Sequence, residues 1–85
     1  MAIITRIQIR VNQKVKAPED LQAYVWDHPR GEAPLEKLIL RTFKYGSFHQ
    51  IRRIYNQYTL ACYDIANKYP EVKRGVKFWI NDWHG

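Results

Sequence analysis

The sequence predicts a mainly α-helical single domain that opens with one β-strand and continues through four to five short helices. Three observations carry this. Residues 3–13 alternate apolar and polar side chains with period two. From Pro34 onward the apolar residues recur at helical spacing. Gly46-Ser47 and Pro70 then cut that pattern into short lengths. With 85 residues the chain is one domain, 1–85, made of a strand arm (1–14) and a helical part (18–83).

In the strand, Ile3, Thr5, Ile7, Ile9 and Val11 share one side, and Arg6, Gln8, Arg10 and Asn12 share the other. It ends before Pro18. Pro18-Glu19-Asp20 reads as the opening turn of a short helix, with acids at the positive end of its dipole. Leu21, Tyr24 and Val25 form its inner side. The stretch WDHPRGEAP, residues 26–34, reads as a loop because it holds two prolines and a glycine.

Pro34 opens a helix to Tyr45, with Leu35, Leu38, Ile39, Thr42 and Phe43 on its apolar stripe. Gly46 is expected as a left-handed stop. Ser47 then caps the next helix, and Gln50, three residues on, completes a capping box. That helix, 48–58, is expected to bury Phe48, Ile51, Ile54, Tyr55 and Tyr58. A further helix runs over 60–68, with Ala61, Cys62, Ile65, Ala66 and Tyr69 apolar, until Pro70. The last spans 71–83 through Val72, Val76, Trp79, Ile80 and Trp83, weakened at Gly75 by about 1 kcal/mol relative to alanine. Tyr55, Tyr58, Tyr63, Tyr69, Phe78, Trp79 and Trp83 are expected to supply much of the core.

No later segment reads as a second strand of comparable quality. A lone strand leaves two edges unpaired. Pairing with the same strand of a second copy, as a two-stranded ribbon in a homodimer, is the simplest remedy.

Charge is distributed in blocks. The net charge is +6. Residues 1–16 carry Arg6, Arg10, Lys14 and Lys16 and no acid. Residues 17–36 are acidic, through Glu19, Asp20, Asp27, Glu32 and Glu36 against Arg30. Residues 37–58 are again basic, through Lys37, Arg41, Lys44, Arg52 and Arg53. Such blocks suit phosphate or an acidic partner protein.

A ribbon presenting Arg6, Gln8 and Arg10 fits the DNA major groove, where arginine reads guanine and glutamine reads adenine. Lys37, Arg41 and Lys44, at i, i+4 and i+7, share one helix face suited to backbone phosphate, and Arg52 and Arg53 follow on the next helix. With Gly46-Ser47 between them, the two helices also read as a helix-turn-helix whose second member offers Ser47, His49, Gln50 and Arg53. The alternative is a protein-interaction module gripping a partner through the free strand edge or a C-terminal aromatic surface at Trp79 and Trp83.

Other classes find less support. His28, His49 and His84 show no metal-ligand spacing, so no metal and no cofactor is expected. The chain holds no glycine-rich phosphate loop and no nucleophile elbow, and Cys62 falls on a core face where a thiol is inert, so no enzyme is expected. A single cysteine points to a reduced, cytoplasmic setting. No apolar run approaches the ~20 residues of a membrane span, and Arg6 and Arg10 interrupt the apolar N-terminus in a way a signal peptide does not.

Two resemblances add to this. The alternate polar residues of 5–12 resemble the ribbon of ribbon-helix-helix repressors. From Tyr24 onward the chain is similar to a small prokaryotic family of uncharacterised helical proteins. The matching motifs are Trp26-Asp27, Leu38-Ile39 with Arg41, Tyr45-Gly46, Ile51 and Ile54, and Phe78-Trp79. Members of that family sit beside abortive-infection-type nucleotidyltransferase toxins. That resemblance implies an antitoxin or accessory role, with a toxin as cognate partner. The reading that combines these features is a small, basic, non-enzymatic DNA-binding protein with an antitoxin-like or autoregulatory role. A protein-interaction module is the alternative, and an RNA-binding accessory protein a third.

Overall fold

The computed structural model describes residues 13–28 and 30–85. Their order is β1 (Lys14–Lys16), α1 (Glu19–Val25, a 3-10 helix), β2 (Glu32–Pro34), α2 (Leu35–Tyr45), α3 (Phe48–Gln57), α4 (Thr59–Lys68) and α5 (Arg74–His84). The chain is therefore mainly helical, as predicted. The expected strand over 3–13, with Arg6, Gln8 and Arg10, lies outside the described residues except for Gln13.

Two expectations are corrected at β2. A second strand exists, and 26–34 is not all loop. β1 and β2 pair antiparallel, with Lys14 opposite Pro34, Val15 opposite Ala33 and Lys16 opposite Glu32. The ladder extends at both ends: Ala17 N–H donates to Gly31 O at 2.7 Å, and Leu35 N–H to Gln13 O at 2.8 Å. Three residues are too short to display a period of two. Pro34 is tolerated because it sits at the strand's end. The chain reverses at Gly31, whose φ of 73° belongs to the left-handed region that glycine enters without strain.

The helices follow their predicted stripes. Leu35, Leu38, Ile39, Thr42 and Phe43 are the buried residues of α2, and Thr42 Oγ1 satisfies itself on Leu38 O at 2.8 Å. Ser47 and Gln50 form both halves of the capping box that opens α3. The stop before it differs from expectation. Gly46 has φ −79° and ψ 160°, extended rather than left-handed. Glycine is favoured there by crowding instead, since a Cβ would come 2.6 Å from Thr42 O. α4 buries Ala61, Cys62, Ile65 and Ala66, and its small residues face Val76 and Ile80 of α5 in one core cluster. α5 begins at Arg74 rather than 71, because Pro70-Glu71-Val72 make a turn closed by Val72 N–H on Tyr69 O.

The aromatic share of that core is smaller than expected. Tyr55 is buried, but Tyr58, Tyr69, Trp79 and Trp83 only pack against the cluster's edge. Phe48 is 45% exposed, Tyr63 37% and Phe78 68%. Phe78 lies two residues from both Val76 and Ile80, which turns it toward the opposite side of α5. Among the described residues, no helix is long and apolar enough to cross a membrane.

Candidate nucleic-acid interface

The predicted cations of α2 share one face, but the fold treats them differently. α1 packs across α2 and delivers Asp27, just beyond its end, to the α2 surface. Arg41 donates through both terminal nitrogens to the Asp27 carboxylate and through Nη1 to Tyr24 O. Lys37 Nζ donates to Asp27 Oδ2 at 2.9 Å and lies 3.1 Å from His28 Nε2. The Arg41 hydrogen bond, then that of Lys37, holds the Asp27 carboxyl well below the ordinary carboxylate range. One turn on, Lys44 is exposed and has no carboxylate partner among the described residues. Its ammonium sits 5.4 Å from the centre of the Tyr45 ring.

α3 shows the same division. Arg53 donates to both oxygens of Asp20 at 2.6 Å. Gln50 Nε2 reaches Asp20 Oδ2 at 3.0 Å while its Oε1 accepts from Tyr24 and from the Ser47 backbone. Arg53 and Gln50 hold the Asp20 carboxyl low. Of the residues that a helix-turn-helix would turn toward DNA, Gln50 and Arg53 anchor α1, Ser47 is occupied in the capping box, and His49 stands edge-on to Phe48. Arg52 points elsewhere, its guanidinium 4.5 Å from the centre of the Trp83 ring.

The acidic block of 17–36 therefore folds onto the basic block of 37–58. Among the described residues Lys14, Lys16, Arg30 and Arg52 also lack a carboxylate partner, and a further unpaired group lies between the end of α2 and the start of α5. Lys73 Nζ donates to Lys44 O at 3.1 Å, which brings Lys73 beside Lys44. Arg74 and Lys77 follow on the first turns of α5. None of Lys44, Lys73, Arg74 and Lys77 pairs with a carboxylate among the described residues. The sequence reading passed over Lys73, Arg74 and Lys77. The signal available was their spacing of i, i+1 and i+4, hidden because Glu71, Asp64 and Asp82 dilute the charge of that segment.

Beside this corner runs a groove of about 620 Å³ on the outer side of α2, with Trp26 and Tyr45 on its wall. Trp26 is 61% exposed and Tyr45 48%. Their rings meet edge to face at 6.1 Å, and the Arg41 guanidinium lies 4.4 Å from the Trp26 centroid. Trp79 and Trp83 belong to a separate aromatic face on α3 and α5. There Phe48 stands 4.9 Å from Trp79 and 5.6 Å from Trp83, both edge to face.

Cys62 is fully buried, and burial pushes its thiol up. Among the described residues no three His, Cys, Asp or Glu side chains converge as a metal cluster would. No protein-family model, curated protein or solved structure matches the chain.

Proposed function

We propose that the protein is a non-enzymatic nucleic-acid-binding protein. The observation that carries this is the gathering of Lys44, Lys73, Arg74 and Lys77 at the α2–α5 corner with no carboxylate paired to any of them among the described residues. Four cations close in the fold without carboxylate partners among the described residues suit a polyanion better than a protein surface of mixed charge. In this reading Lys44 keeps the phosphate role expected of it. Lys37, Arg41 and Arg53 serve the fold through Asp27 and Asp20, and Arg52 stands apart beside Trp83.

Arg6, Gln8 and Arg10 extend the reading toward base contact in DNA, through a ribbon shared between two copies. The antitoxin-like or autoregulatory role, with a cognate toxin as partner, rests on the family resemblance. The test is a salt titration of binding to duplex and single-stranded oligonucleotides. The triple variant Lys73→Ala/Arg74→Ala/Lys77→Ala is expected to bind more weakly. Its log affinity should also fall less steeply with log salt, by about 1 per phosphate contact removed. A slope equal to that of the parent protein would remove the corner from the interface.

A second reading has its own support. Phe48 at 45% exposure against half-buried Trp79 and Trp83, with Arg52 over Trp83, and Phe78 at 68% next along α5, resemble the aromatic and arginine make-up of a protein-binding hot spot. It predicts a partner whose capture is lost in Phe48→Ala/Phe78→Ala and unaffected by the α5 cation variant.

A further inference from the structure

We infer that the groove beside α2 is a stacking site for an unpaired nucleobase, with Trp26 as its platform, so that the polymer bound is single-stranded. This rests on the nucleic-acid reading above and narrows it to single strands, in place of the duplex contact expected of Arg6, Gln8 and Arg10. Base–aromatic stacking needs a ring that is both held and open, and Trp26 is both. It is held from one side by the Arg41 guanidinium, 4.4 Å from its centroid. Arg41 is itself fixed by Asp27 and by Tyr24 O. It is open because 61% of its surface still meets solvent with that cation in place.

Three further features fit a nucleotide. The groove's volume, about 620 Å³, lies in the range of about 300–1,000 Å³ typical of small-molecule sites. Tyr45, half exposed and set edge to face at 6.1 Å from Trp26, supplies a second aromatic wall. Lys44 also lines the groove, with Lys73 hydrogen-bonded to its carbonyl. Lys44 lines the same groove as Trp26, and the phosphate of a base lying on Trp26 is assigned to it. Glu36 and Glu71 also line this groove, and Glu71 lies beside Lys44 and Lys73, where it lowers the positive potential the lysines supply. A base inside a duplex is stacked on both faces already and cannot present one to Trp26 without unstacking.

The distinguishing experiment measures binding of the whole chain to oligothymidylate, oligouridylate and a blunt duplex at one salt concentration, then repeats the salt series. Single-stranded probes are expected to bind more tightly than the duplex. Trp26→Ala should weaken them roughly tenfold, as the loss of one base–aromatic stack does, with the salt slope unchanged. Trp26→Phe should recover most of the loss, and Tyr45→Ala should give a smaller one. The stronger of the two single-stranded probes names the polymer as DNA or RNA. If Trp26→Ala and Tyr45→Ala both retain parental affinity, or the duplex binds as tightly as the single strands, the stacking site is refuted while the cationic corner stands. If none of the three probes binds, both readings fall together.

Discussion

Lys37 and Arg41 lie two turns and one turn below Lys44 on the same face of α2, and by spacing alone the three are equivalent. Their surroundings are not. The lower pair is covered by the end of α1, where Asp27 takes two hydrogen bonds from Arg41 and one from Lys37. The upper residue stands at the helix end, beside Lys73, near the Tyr45 ring and with no carboxylate paired to it among the described residues. The lower stretch is a fastening for the N-terminal elements, and the upper stretch is free to meet an outside anion. A run of cations at helical spacing therefore describes a face and leaves open how many of its charges are available. That number is set by what the rest of the chain lays across it.

The comparison breaks most severely if α2 itself is loosened. Leu38 is fully buried on the inner side of the helix that carries both stretches. Leu38→Ala is expected to cost about 2–5 kcal/mol in urea unfolding, enough to disorganise both stretches together. Next comes the corner. At Gly46 an added Cβ meets Thr42 O at 2.6 Å, whereas at Gly75 it meets nothing within 4 Å. Gly46→Ala should therefore destabilise by about 1–3 kcal/mol through overpacking. Gly75→Ala should be neutral or stabilise, by up to about 1 kcal/mol. Equal effects at the two glycines would show that crowding against Thr42 is not what fixes the α2–α3 connection.

The smallest effect sharpens the comparison at the lower stretch. Asp27 is solvent-exposed, so its ion pairs contribute modestly to stability, but their pH dependence has a definite sign. A carboxyl whose folded-state pKa is depressed stabilises the fold above its unfolded value, about 3.9, and loses that contribution as pH falls toward the folded value. Asp27→Asn removes this loss. Thermal unfolding of the two proteins should differ at pH 6 and converge as the pH drops below about 3.

Much of the fold was legible in the sequence. The stripe of Leu35, Leu38, Ile39, Thr42 and Phe43, and the Ser47–Gln50 capping box, are local patterns set by a few neighbouring residues, and α2 and α3 follow them within a residue. β2 was not legible, because Glu32-Ala33-Pro34 carries no periodicity and its partner Lys14–Lys16 lies far along the chain. The candidate site was legible in part. Lys44 was read from its spacing, but the capture of Lys37 and Arg41 by Asp27 is a tertiary contact across ten and fourteen residues. The alternation of basic and acidic blocks carried the hint, since an acidic block between two basic ones has charge to satisfy at home. Trp26 and Tyr45 were missed as a site because aromatic residues at helix ends read equally well as core.

The central claim is that two lysines on one face of one helix differ in availability, and a single pair of salt titrations tests it. Lys44→Gln and Lys37→Gln remove the same charge from the same helix, two turns apart. With a single-stranded oligonucleotide as probe, Lys44→Gln is expected to reduce the slope of log affinity against log salt by about 0.7, one phosphate contact. Lys37→Gln is expected to leave the slope at its parental value. Equal reductions in both variants, or a reduction confined to Lys37→Gln, would contradict the account.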